Sequence, residues 1–292
     1  MTHSELSIAA AEQQRRATSR IGALLQAAGK ITPDNAERAS RLQDEMGIRF
    51  GEAAQRLGLV DDDDIAKALA QQFDYPYLRP GDSTCSARLL AAYEPFGALA
   101  ETLRAVRSQL LLRWFARGHK SLVIAGVEAG DGASLFTANL AVAFAQLGRR
   151  TLLVDADLRA PAQQAIFNAS ARRGLSDMLA GRVDADQVEL LAPFGSLSLL
   201  GAGTLPPNPQ ELLSRPAMAS LNASFETGYD VVLYDVTPAA RSLDALLLAA
   251  RSGGVLIVAR KNTTPLGALQ ALAEQVGQNG AKVVGAVMVE LP

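Results

Sequence analysis

The sequence predicts an α/β protein: a doubly wound, mostly parallel sheet flanked by helices, preceded by a small helical N-terminal domain. Three observations carry that prediction. From Glu101 onward, short apolar runs alternate with segments of helical periodicity. The short runs are continuously apolar, which suits strands covered by helices on both faces. Before residue 79, apolar positions recur only at helical spacing.

The elements follow in order. Residues 1–19 read as a polar tail, and 20–78 as the helical domain. Residues 79–95, "RPGDSTCSARLLAAYEP", combine Pro, Gly and Ser and read as a linker. Residues 96–292 read as the α/β domain. Its strands are expected at Ser121–Gly126, Thr151–Asp155, Leu197–Leu200, Val231–Asp235, Gly254–Ala259 and Val283–Val289. Helices are expected at Leu135–Leu147, Gln210–Phe225, Leu243–Ala250 and Leu266–Gln278. In this architecture ligands bind at the carboxyl ends of the strands.

Composition narrows the function. A net charge of −2 argues against a nucleic-acid polymer as partner. One cysteine, Cys85, and two histidines, His3 and His119, exclude a disulfide framework and argue against a Cys/His zinc centre. The polar N-terminus lacks the apolar core of a signal peptide, and no run approaches the roughly 20 apolar residues of a membrane span. A cytoplasmic protein that reaches the membrane only through a partner is the expectation.

The helical domain contains an internal repeat. "RIGALLQAAGKIT" from Arg20 and "RFGEAAQRLGLVD" from Arg49 share Arg, two glycines at fixed spacing (Gly22 and Gly29; Gly51 and Gly58) and a terminal Gln, Gln43 or Gln72. Two stacked helical hairpins account for the glycines and apolar positions. The paired Arg and Gln are costly to bury and rich in donors, which suits phosphate and guanine edges. The two 24-residue units resemble the N-terminal domain of GspE/MshE-type secretion and pilus ATPases, some of which bind cyclic di-GMP. The resemblance implies Arg20, Gln43, Arg49 and Gln72 as contacts for that ligand. Ile21 and Phe50 replace its usual leucine, and Ala36 and Ser40 stand where further leucines are expected.

The α/β domain carries three chemical motifs. "VEAGDGAS" lies between an expected strand and helix, with Gly130, Asp131, Gly132, Ala133, Ser134 and Leu135 at its turn. Glycines there let backbone N–H groups and a helix N-terminus approach phosphate. Ser134 stands where such a loop places its Mg²⁺-binding hydroxyl, and Ala133 where it carries lysine. "TLLVDADLRAP" ends a strand in Asp155, Asp157 and Arg159. "YDVVLYDVTP" ends another in Asp235. One terminal Asp is explained by helix capping. Three on two strands beside a phosphate loop suit Mg²⁺-nucleotide, with Ser134, Asp155 and Asp235 as metal ligands.

These blocks resemble the bacterial tyrosine kinases (BY-kinases) of polysaccharide export, and with the N-terminal repeat the EpsG-type chain-length-determinant proteins. The resemblance covers residues 94–292. It implies ATP/ADP with Mg²⁺ as cofactor and Asp155, Asp157 and Asp235 as catalytic acids. It implies a Wzz-like membrane polysaccharide co-polymerase or export protein as partner. Glu101, Arg104 and Arg107 match an E-x2-R-x2-R motif that builds a homo-oligomeric ring. A surface charge pattern on a helix explains the same spacing.

Two departures count against kinase activity. Ala133 removes the loop cation, for which Arg159, Lys261 or a neighbouring subunit would have to substitute. The last tyrosine is Tyr234, so the family's C-terminal tyrosine cluster is missing; Tyr75, Tyr77 and Tyr93 are the remaining acceptor candidates. Three functions are therefore carried forward: an ATP-dependent kinase controlling exopolysaccharide chain length or export, a pseudokinase scaffold for that machinery, and a MinD/ParA-like positioning ATPase.

Overall fold

A computed structural model describes residues 21–72, 75–79, 81–183 and 187–290. The polar tail and Arg20 lie outside the described residues. The chain divides into two compact units, Met1–Pro76 and Tyr77–Pro292.

In the first unit, residues 21–27 form α1, followed by α2 (Pro33–Met46), α3 (Phe50–Arg56) and α4 (Asp62–Gln72). Thr32 caps α2 by accepting from the Asn35 amide at 3.3 Å, with Pro33 in the first turn. The repeat is visible in the backbone. Gly29 and Gly58 both adopt left-handed φ, 70° and 66°, at equivalent turns. Gly22 and Gly51 lie against side chains: an added Cβ would sit 3.1 Å from the Phe50 ring and 3.2 Å from Ile65. Leu25, Ile31, Ala39, Phe50, Ala53 and Val60 form the core between these helices.

The second unit begins with α5 (Leu90–Tyr93) and α6 (Ala98–Arg113). Its strands are β1 (Ser121–Gly126), β2 (Thr151–Asp155), β3 (Glu189–Leu190), β4 (Leu197–Leu200), β5 (Val231–Asp235), β6 (Gly254–Arg260) and β7 (Lys282–Val289). Between them run α7 (Ala133–Gln146), α8 (Gln163–Phe167), α9 (Leu175–Leu179), α10 (Pro209–Ser214), α11 (Pro216–Gly228), α12 (Asp244–Ser252) and α13 (Leu266–Gln278). The sheet order is β3-β4-β2-β5-β1-β6-β7. All pairs are parallel except β3 with β4. Strands β1, β2 and β5 are buried along their full length, as their continuous apolar runs predict. Helix α7 is apolar nearly all round and is almost wholly buried in one of the two cores that cover the sheet.

Three expectations change. The stretch 79–95 does not run as a tether; it packs into the second unit. Leu89, Ala91, Ala92 and Tyr93 are buried in its core, the Ala91 amide donates to Asn139 Oδ1 at 2.8 Å, and Gln146 Nε2 donates to the Ala91 carbonyl at 2.8 Å. Apolar residues among the Pro, Gly and Ser outweighed the turn composition. The helix expected at Gln210–Phe225 is two helices. Arg215 before Pro216 adopts φ −59°, ψ 148°, because proline excludes the helical region for its predecessor. Strand β3, at two residues, is too short to leave a periodic signal. Among the described residues no helix is long and apolar enough to cross a membrane.

Candidate functional site

The phosphate loop joins β1 to α7. Gly130 and Gly132 take φ of 89° and 78°, where a Cβ is strained. The loop is held closed by one of its own side chains. Asp131 is buried; its Oδ2 accepts from the Val127 and Glu128 amides at 3.1 and 2.7 Å, and its Oδ1 from the Thr264 hydroxyl at 2.7 Å. Asp131 therefore acts as a brace shaping the loop from within.

The three strand-end acids converge. Asp155 and Asp235 are register partners on adjacent β2 and β5, and both are fully buried. Their roles differ. Asp155 Oδ2 accepts from the Ala162 and Gln163 amides at 3.0 and 2.9 Å, starting α8, and Oδ1 accepts from the Asp157 amide at 3.3 Å. Asp157 Oδ1 accepts from the Arg159 and Ala160 amides at 3.1 and 3.0 Å and from the Thr237 hydroxyl at 2.7 Å. These two carboxylates order the turn after β2. Asp235 is different. Its Oδ2 accepts from Gln163 Nε2 at 2.7 Å, while its buried Oδ1 has no hydrogen-bond partner. A buried, orphaned carboxylate oxygen is costly unless a ligand satisfies it. Gln163 also donates to the Ser134 carbonyl at 3.0 Å, tying the metal-type residues together.

Burial pushes the Asp155 carboxyl up to about 7, with nearby Asp157 adding to the rise. Burial, and then the Asp155 charge, hold Asp235 well above the usual carboxylate range. The native state thus binds a proton at Asp235 more tightly than the unfolded chain does. Stability from this group is present at low pH and is lost as pH rises above the ordinary carboxylate range. Asn imitates the protonated acid, so Asp235→Asn should raise the melting temperature of the ligand-free protein more at pH 8 than at pH 5. Equal shifts at both pH values, measured by differential scanning calorimetry, would sink this account.

A cavity of about 540 Å³ opens over the loop. Gly130 to Leu135 line it, with Asp157 and Pro238. So do two arginines outside the motifs, Arg88 and Arg241. Gln163, Thr237 and Thr264 likewise carried no motif signal, since each reaches the site from a separate segment. Among the described residues no cluster of three His, Cys, Asp or Glu side chains could hold a metal alone. Mg²⁺ suits such a site, since it is usually bound by one or two protein oxygens plus phosphate and water.

Several expected residues are elsewhere. Arg159 Nε lies 3.4 Å from Asp244 Oδ2, and the side chain lines a separate cavity with Pro207, Asn208 and Pro209. The motif fixes its place in sequence, but the Asp157 turn directs it away from the loop. Lys261 pairs with Glu290 at 3.1 Å. Arg107, expected at an oligomer contact, is buried and donates from Nη1 to the Ala143 carbonyl at 2.6 Å, fixing α6 on α7. Arg104 donates to Glu101 Oε2 at 2.6 Å and to the Pro95 carbonyl at 2.6 Å. Tyr93 is also buried, its hydroxyl 2.8 Å from the Asp82 and Cys85 carbonyls, while Tyr75 and Tyr77 are half-buried. In the first unit, Gln43 lines a cavity of about 600 Å³ with Gly22 and Phe50; Arg49 and Gln72 do not line it.

No protein-family model matches the chain. Among curated proteins it is 36% identical over 199 residues to EpsB of Ralstonia nicotianae, covering 68% of this chain and 26% of that one. It is 33% identical to the tyrosine-protein kinase YwqD of Bacillus subtilis, covering 70% of this chain and 87% of YwqD. Against the tyrosine-protein kinase Wzc of Salmonella typhimurium the figures are 30%, 69% and 28%. The chain thus spans only about a quarter of the length of EpsB and Wzc. Among solved structures, the chimerical protein CapA2B2 matches with TM-score 0.66 at 31% identity, over 77% of this chain and 99% of that one. The kinase domain of Escherichia coli ETK matches with TM-score 0.67 at 28% identity, over 70% and 80%. The Pyrococcus furiosus cell-division ATPase MinD, at 22% identity and TM-score 0.52, shares the fold. With the phosphate loop, the acids ending β2 and β5, and these relatives, the chain belongs to the bacterial tyrosine kinase family.

Proposed function

We propose that this protein binds Mg²⁺-nucleotide in the loop cavity and acts as a nucleotide-responsive regulator of exopolysaccharide chain length or export, with slow or absent phosphoryl transfer. The single observation that carries the reading is Asp235. Its orphaned Oδ1 lies in a buried acid pair whose ionised form is destabilised without a cation. Ser134, tied to Asp235 through Gln163, and Asp235 itself would hold the metal. Mg²⁺ there would neutralise charge on the phosphates. The amides of Gly130 to Ser134 would cradle the phosphates, and Asp157 would shape the opposite wall. The missing lysine removes a preorganised donor where charge develops in the transition state. Binding survives that loss better than turnover does.

Membrane action would come through a polysaccharide co-polymerase or export protein on the cytoplasmic side. Mg²⁺-ATP binding measured beside hydrolysis tests the core of the reading: binding without family-like turnover supports it, and kinase-level turnover of the unaltered chain overturns it. For the first unit, cyclic di-GMP stands on Gln43 and its cavity. Calorimetry of the full chain with that dinucleotide checks it; saturable heat supports the assignment, and no heat at high micromolar ligand removes it.

A further inference from the structure

We infer that Arg88 and Arg241 are the phosphate-binding cations of the loop cavity, taking the place of the lysine that Ala133 removes. This rests on the reading of the cavity as a nucleotide site. Among the described residues lining that cavity, these two are the only cations, beside the acids Glu128, Asp131 and Asp157. An anionic ligand beside so many acids needs positive charge, and the two substitutes expected from sequence, Arg159 and Lys261, are engaged elsewhere.

Both arginines are mounted on backbone fixed to the loop machinery. Arg241 closes a turn through its amide to the Pro238 carbonyl at 2.9 Å. That turn is bonded to the loop itself: the Ala239 amide donates to the Gly126 carbonyl at 2.9 Å and the Ala240 amide to the Val127 carbonyl at 3.0 Å. Arg88 lies in the segment docked against the helix that follows the loop. The Ser86 amide donates to the Ile166 carbonyl at 2.8 Å in α8, and the Ala91 amide to Asn139 Oδ1 in α7. Asn139 in turn donates to the Leu135 carbonyl at 2.9 Å. Both side chains are exposed, and neither forms an ion pair among the described residues. A planar guanidinium offers paired donors that match phosphate oxygens, and two from separate segments can grip a polyphosphate from two sides.

The test is Mg²⁺-ATP and AMP titration of the full chain, with Arg88→Gln, Arg241→Gln and the double variant. Each single change should weaken ATP binding by about tenfold and the double by about a hundredfold, from the loss of charge-assisted hydrogen bonds, with AMP affinity nearly unchanged. Arg→Lys at either position should recover part of the loss, and Ala133→Lys in the double variant should restore binding by returning a cation to the loop. Melting temperatures should stay within about 2 °C, since both side chains are exposed. A double variant that binds ATP within twofold of the parent overturns the arginine assignment and leaves the nucleotide site standing. A parent that binds no Mg²⁺-ATP overturns both.

Discussion

Ala133→Lys should raise phosphoryl-transfer or hydrolysis rate by about 10²–10³-fold, the usual effect of supplying one preorganised transition-state donor. The backbone is ready for the change. Ala133 begins α7 directly after the two positive-φ glycines, and it lines the cavity with Ser134 beside it. The added side chain would leave the Asp131 brace and the Asp235–Gln163–Ser134 ties in place. ATP affinity should rise less than rate, because Arg88 and Arg241 already supply ground-state charge. Steady-state hydrolysis and autophosphorylation of parent and variant check this. A variant no faster than its parent would place the defect in the acids or the acceptor, not in the loop.

Gly174→Ala should cost about 3–4 kcal/mol, among the largest single-residue effects in the fold. A Cβ there would lie 1.9 Å from the Gly201 carbonyl oxygen and 2.6 Å from the Gly203 nitrogen. Both neighbours are main chain, so no side chain can swing away. Relief must separate the start of α9 from the end of β4, which breaks Leu175 N–H to Gly201 O (2.9 Å) and Ser176 N–H to Ala202 O (3.0 Å). Gly203 cannot adapt easily, since it already holds φ 79° against Asp177 Oδ2 and Gly174. Gly277→Ala is the contrast. It lies inside α13 with nothing within 4 Å of its built Cβ, and should stabilise by about 0.5–1 kcal/mol through helix propensity. Urea denaturation of both variants decides; equal destabilisation would refute the backbone-contact account.

How much was legible depended on whether a signal was local. Six strands announced themselves as apolar runs: β1, β2, β4, β5 and β6 because they are buried almost throughout, and β7 as a part-exposed edge strand. Asp155, Asp157 and Asp235 were legible because each ends such a run, where this fold places ligands. Their division of labour was not. Only the three-dimensional turn shows Asp155 and Asp157 serving backbone amides while Asp235 keeps an orphaned oxygen. Arg159 was misplaced because proximity in a motif does not fix side-chain direction. Gln163, Arg88 and Arg241 were invisible because they come from three segments joined only by folding. The segment holding Arg88 also concealed itself, since its Pro, Gly and Ser resemble a tether and its buried Leu89, Ala91 and Ala92 show only on packing.

The most direct measurement is calorimetric titration of the unaltered full chain with ATP, in Mg²⁺ and in EDTA, repeated with Asp235→Asn. The account predicts saturable heat that requires Mg²⁺ and falls by at least about tenfold in affinity when the Asp235 charge is removed. Absence of saturable heat at millimolar ATP, or binding equal in EDTA and in Asp235→Asn, would contradict it.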